Sequence, residues 1–138
     1  MVKTARFVFD TRGDTDIRDI TEEVAQAVTE SGLQAGVATV FILGSTAALT
    51  TVEYEPGLVA DLQRVFEQIA PEDAVYQHEE RWHDDNGHAH VRATLLGPSL
   101  SVPFNAGRLE LGTWQQIVAL DFDTRPRQRT VVVQMVGE

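Results

Sequence analysis

The chain has 138 residues, 43% of them hydrophobic, and a formal net charge of −10. A single domain with one ordinary core is expected, since a chain near this size buries about 70% of its unfolded surface. The acidic balance argues against a nucleic-acid partner and an anionic membrane, and the absence of cysteine excludes disulfides, thiolate metal sites and cysteine nucleophiles.

Residues 2–10 carry β-branched and aromatic side chains and predict a strand. No cleavage signature is visible there and no apolar run approaches the roughly 20 residues of a spanning helix, so a soluble cytoplasmic domain without a membrane partner is expected. Residues 11–14 form a turn, and Ile17 and Ile20 suggest a second short strand. Thr21 reads as the N-cap of a helix with Glu22 and Glu23 in its first turn, ended by Ser31-Gly32. Gly36 to Leu43 is a continuous apolar run and predicts a central strand covered on both faces. After Gly44-Ser45-Thr46, a strand over 47–53 is expected, then a turn at Pro56-Gly57. Leu58, Leu62, Val65, Phe66 and Ile69 mark a second helix, stopped at Ala70-Pro71.

A polar, turn-rich segment with all four histidines follows, His78 to His90, and then a short helix over 91–96 before Gly97-Pro98. Ser99 to Phe104 reads as a strand whose Pro103 implies an edge or bulge. Asn105-Ala106-Gly107 reads as a three-residue hairpin loop, and 108–111, 114–122 and 128–136 as the closing strands. The order is approximately ββαββαβββββ with two main helices, an α+β domain.

Chemistry concentrates in two places. His88 and His90 would share a face on a strand but point about 200° apart on a helix. With Asp84 and Asp85 nearby, the H-x-H spacing fits a divalent metal, or a solvated loop with one histidine buried for packing. His78 is a third ligand, a general base or a surface residue. Glu53, after an apolar strand, reaches a cleft or is simply solvated. Gly44-Ser45-Thr46 offers amides and hydroxyls to an anion, or marks a bulge. Trp114 and Gln115 stack and hydrogen-bond a ring, or serve as core or interface; Arg92 and Arg108 hold phosphate, or are surface charges.

The strings from Gly44 to Thr50, from Val91 to Leu100 and from Leu111 to Gln116, with the closing Val131 to Glu138, resemble the YjbQ family, named for a secondary thiamine-phosphate synthase activity. The resemblance implies a compact α+β fold with a mixed, strongly curved sheet, assembled as a homotrimer. It implies a pocket near subunit contacts, matching Glu53, His78, Asp85, His90, Trp114 and Gln115 here. The implied reaction joins a hydroxymethylpyrimidine diphosphate to a thiazole phosphate and releases diphosphate, as a weak or side activity.

On this reading His78, Asp85, His90 and Glu53 are catalytic. Ser45, Thr46, Arg92, Trp114 and Gln115 bind the phosphorylated substrate. A zinc or magnesium ion would sit on His78, His88, His90 and Asp85. The family commonly carries His-Thr-Thr or His-Thr-Ser where this chain has Gly44-Ser45-Thr46, so one imidazole is missing. Its role is lost here or passes to His83 or His88. The alternative is a non-catalytic trimeric protein that binds a ligand or metal.

Overall fold

The computed structural model describes residues 1–82 and 84–138. In chain order it holds β1 (Val2–Thr11), β2 (Asp16–Asp19), α1 (Thr21–Ser31), β3 (Ala35–Ile42), β4 (Ala47–Val52), α2 (Pro56–Ile69), α3 (Gln77–Trp82), α4 (Gly87–Leu96), β5 (Ser99–Asn105), β6 (Arg108–Leu109), β7 (Gln116–Asp121) and β8 (Arg127–Gly137). The expected α+β class holds, in two sheets. The larger runs β1-β8-β3-β5-β6 and the smaller β2-β7-β4. All six pairings are antiparallel, so the expectation of a mixed sheet is corrected to two antiparallel ones.

The sheets are layered by side-chain parity, because alternate strand residues face opposite ways. Ala38, Val40, Ile42, Val131, Val133 and Met135 of the large sheet meet Leu49, Ile117 and Ala119 of the small sheet, and Val24 and Val28 of α1 close the same core. The other parity of the small sheet, Ala48, Val118, Leu120 and Phe122, packs on Phe66 of α2 and Ala89 and Ala93 of α4. The small sheet is therefore covered on both faces. The large sheet is covered on one.

That corrects the reading of residues 36–43. The strand is central in its sheet, but its residues alternate: Ala38, Val40 and Ile42 are buried while Val37, Phe41 and Leu43 are 41–47% exposed. An apolar run marked a strand correctly but did not tell whether a second layer exists to cover it. Three other local expectations change. Pro56-Gly57 is not a turn. Glu55 caps α2, its carboxylate accepting from the amides of Gly57 and Leu58, and Pro56 sits in the first turn, where its missing N–H costs nothing. The N-cap of α1 is Ile20, whose apolar side chain cannot cap, and Asp19 just before it accepts from the Thr21 amide at 3.0 Å. The loop joining β5 to β6 has two residues, Ala106 and Gly107, both at positive φ.

The largest difference is in the histidine segment. It is helical on both sides of residue 83, as α3 and α4, and not an open loop. Gly87 starts α4 in direct contact with the Tyr76 side chain; a Cβ there would lie 2.6 Å from that of Tyr76. Glu79 of α3 accepts from the Gly87 amide at 3.1 Å and ties the two helices. No helix among the described residues is long and apolar enough to cross a membrane.

Candidate functional site

The end of the sandwich where β4 begins, β7 ends and β8 begins carries the charged residues that the strands bury. Arg129 and Asp121 stand at inward parity on β8 and β7, in line with core residues Val131 and Ala119. Both are nearly inaccessible, 7% and 1% exposed. A charge at such a position must be paired, and the pairing here is close to complete. Arg129 donates from Nε to Asp121 Oδ2 at 2.7 Å and from Nη2 to Asp121 Oδ1 at 2.8 Å, the two-pronged contact that suits guanidinium and carboxylate. Asp121 also accepts from the Thr11 hydroxyl and the Asp123 amide. Thr46 accepts from Arg129 Nη2 at 2.7 Å and donates to Asp123 Oδ2 at 2.9 Å.

Asp123, 2% exposed, extends the network outward. Burial alone would raise its pKa. The Thr124 amide, the Thr46 hydroxyl, Arg127 and Asn86 outweigh burial and hold the carboxyl below the ordinary aspartate value. Arg127 donates to it from Nε at 3.1 Å.

The histidine pair lies next to this network. The rings of His78, on α3, and His90, on α4, have centroids 4.3 Å apart with a 35° tilt. The sequence expectation that these two converge is met. Burial pushes the His90 pKa below the ordinary histidine value, and His78 acts in the same direction; Asp123 and Asp84 pull against them without reversing the shift. The shift favours the neutral imidazole. Nδ1 of His78 lies 3.1 Å from Asp84 Oδ1, but out of line for a hydrogen bond, and it has no other partner among the described residues. With its amide turned to present the NH₂ group, Asn86 donates to Asp84 at 3.1 and 3.3 Å. Asp85 is exposed and accepts from the Thr124 hydroxyl at 3.3 Å.

Other expected site residues lie elsewhere. His88 and His90 share a helix, so they point apart as helical geometry requires. His88 is 1% exposed and packs beside Tyr76, with ring centroids 6.4 Å apart. It faces away from the His78–His90 pair, and its buried Nδ1 has no hydrogen-bond partner among the described residues. Among the described residues no three His, Asp or Glu side chains gather as a metal's ligands. His83, the other substitute for the missing imidazole, lies outside the described residues.

Arg92 is also reassigned. It is 5% exposed and its donors are taken by structure: Nε and Nη2 by the Ala70 carbonyl, Nη1 by Thr15 Oγ1 and Nη2 by Glu67. It clasps α4 to the end of α2 and the β1–β2 turn. Arg108 sits on the β5–β6 hairpin, at the far end of the large sheet.

Glu53, Trp114 and Gln115 form a separate group. Ala47 pairs with Asp121 at one end of β4, and Val52 with Gln116 at the other. Seven residues of nearly extended chain put Glu53 roughly 20 Å from Thr46. Gln115 donates to Thr51 Oγ1 at 3.1 Å beside a groove of about 350 Å³ lined by Leu49, Leu100, Ser101 and Leu111. Trp114 projects into solvent, 71% exposed. One chain does not bring these three to the histidines.

The chain matches the family model "UPF0047 protein YjbQ-like" over residues 5–138. It belongs to the YjbQ (UPF0047) family. A UPF0047 protein of Archaeoglobus fulgidus is 40% identical over 119 residues, covering 86% of this chain and 90% of the relative. UPF0047 protein YugU of Bacillus subtilis is 36% identical over 121 residues, covering 86% and 88%. Among solved structures, a YbjQ-like protein of unknown function from Sulfolobus solfataricus P2 superposes with a TM-score of 0.90 at 31% identity, over 100% of both chains. An uncharacterised conserved member of the YjbQ/UPF0047 family from Clostridium acetobutylicum superposes with a TM-score of 0.87 at 34% identity, over 96% of this chain and 99% of the other. Membership fixes the α+β architecture with its strongly curved half-barrel sheet; the family itself is uncharacterised.

Proposed function

We propose that the histidine pair marks the active site of a slow transferase acting on a phosphorylated heterocycle, with thiamine phosphate formation as a side reaction. The observation that carries this reading is the His78–His90 pair, beside Asp123 and the ion-paired Arg127 and Arg129. In the transfer, a thiazole nitrogen forms a bond to the pyrimidine methylene carbon. The carbon–oxygen bond breaks and diphosphate leaves with the electron pair. The demands on the protein are to hold the heterocycle and to neutralise the departing oxygens. A neutral imidazole meets the first by hydrogen-bonding a ring nitrogen or taking a proton from an amino substituent. Guanidinium N–H groups meet the second by hydrogen bonding, since Asp121 and Asp123 already balance the charges of Arg129 and Arg127. Turnover is slow because Gly44 supplies no imidazole.

The test is diphosphate release by the purified chain on the two substrates. His90→Gln is expected to lower it by about 10²–10⁴-fold, the usual contribution of an acid–base group. A variant as active as the parent would remove His90 from the chemistry. Binding of both substrates without release in the parent would favour the ligand-binding alternative, which the missing imidazole at Gly44 supports.

The same reading includes a homotrimer. It is supported by the bare face of the large sheet, where Val2, Val37, Phe41 and Val136 are 41–57% exposed. Between Val2 and Val8 this face carries a single charge on β1, Arg6, in a chain of net charge −10. Copies of an acidic chain repel least through such a face. Light scattering is expected to give three times 15.3 kDa; a monomer mass at micromolar concentration refutes it.

A further inference from the structure

Arg129 has one donor group that the network does not use. Nε and Nη2 are committed to Asp121 and Thr46, while Nη1 donates to no described residue. The residue keeps 7% of its surface exposed. The direction Nη1 faces follows from Gly44. A Cβ built on Gly44 would lie 2.5 Å from Nη1, and the backbone there has φ +111°. Every residue with a side chain would cover this end of the guanidinium. Glycine leaves it open.

We propose that Gly44 makes a window over Arg129 Nη1 and that the guanidinium takes a phosphoryl oxygen of the ligand through it. This rests on the reading of the histidine pair as marking a site for a phosphorylated ligand, and it names the group that recognises the phosphate. Three further observations fit. The carboxylates of Asp121 and Asp123 are each already engaged by an arginine, so they do not compete for Nη1. The amides of Gly44 and Ser45 donate to no backbone carbonyl among the described residues, and Ser45 adds an exposed hydroxyl. A cleft of about 310 Å³, lined by Gly44 and Ser45 on one side and Ala93 and Thr94 on the other, gives room at this loop. Several donors converging from a loop and a planar cation suit the oxygens of a phosphoryl group. The residue change that costs the site an imidazole thus opens it to an anion.

The experiment is a ¹⁵N NMR titration of the intact protein with inorganic phosphate at constant ionic strength, with sodium chloride and acetate as parallel arms. Saturable shifts of the Arg129 Nε–Hε signal and of the Gly44 and Ser45 amides are expected with phosphate. Shifts no larger than those from chloride overturn the proposal, and an equal response to acetate overturns its choice of phosphate. Gly44→Ala is expected to weaken phosphate binding by about tenfold or more, the worth of a charge-assisted hydrogen bond. A folded Gly44→Ala protein with parental affinity also overturns it. Should that variant fail to fold, the parental titration decides alone. Turnover is read separately. Phosphate binding at Arg129 without diphosphate release defeats the transferase reading alone, and release without the shifts defeats this assignment alone.

Discussion

Arg92→Leu separates a structural arginine from a substrate-binding one. The guanidinium is the sole side-chain donor seen for the buried Ala70 carbonyl and for Thr15 Oγ1, at 2.9–3.0 Å. Its contact with Glu67, at 2.7 Å, counts for less, because that carboxylate side chain is 54% exposed and screened by water. Leucine keeps the helix and much of the apolar stem but leaves two buried acceptors facing carbon. Hydrogen bonds to charged groups contribute about 1.5–3 kcal/mol each, so a net loss of about 3–5 kcal/mol is expected. That is a large share of the roughly 5–15 kcal/mol that stabilises a domain. For a chain of this length it lowers the melting temperature by about 10–20 °C. Circular dichroism during urea and thermal unfolding reads this directly. Glu67→Gln should cost less than about 1 kcal/mol. An Arg92→Leu protein with a parental melting temperature and lost phosphate binding would refute the structural assignment.

Three further outcomes follow from the same geometry. Gly44→His, which restores the family's imidazole, should destabilise the fold by at least about 1–3 kcal/mol, since histidine would sit at φ +111° with its Cβ against Arg129; a stable variant with raised turnover would show that the loop accommodates the ring. The lowered pKa of His90 means that its contribution to stability is complete above the unfolded histidine value near 6.5 and is lost as pH falls through the folded value below it. His90→Gln should therefore flatten the stability profile as pH falls below about 6.5, as read by urea unfolding, and an unchanged slope counts against the burial argument. Asp16 and Asp123 titrate below 3.8, so the stability they add is present above that value and lost at still lower pH; Asp123→Asn should be least damaging, relative to the parent, in that acid range.

Much of the architecture was legible because apolar periodicity reports burial. The stripe from Leu58 to Ile69 gave α2, and the glycines at 32 and 97 marked the ends of α1 and α4. The histidine segment was harder. Its residues are polar, and α3 is only six residues long, too short for a periodic pattern to stand out. What makes it helical is tertiary: the Glu79–Gly87 bond and the close approach of Gly87 to Tyr76. Once α4 begins at Gly87, the separation of His88 from His90 follows from helix geometry alone. The convergence of His78 with His90 depended on the family motif and would not have followed from spacing, since eleven residues lie between them and each stands on a different helix.

Arg129, Asp121 and Asp123 did not enter the expected site, although the sequence carried a signal for them. In β8 the residues at 131, 133 and 135 are Val, Val and Met, and the next position at the same parity is Arg129. In β7 the inward series Ile117, Ala119 ends in Asp121. Two opposite charges that continue the buried faces of neighbouring elements are forced toward one another, because neither can remain unpaired in a core. Strand parity, as distinct from apolar content, is therefore enough to pair Arg129 with Asp121 from the amino-acid sequence. Parity does not say which guanidinium nitrogen is left over. That depends on Thr46 taking a share of Nη2 and on Gly44 having no side chain to cover Nη1, which are properties of the folded loop.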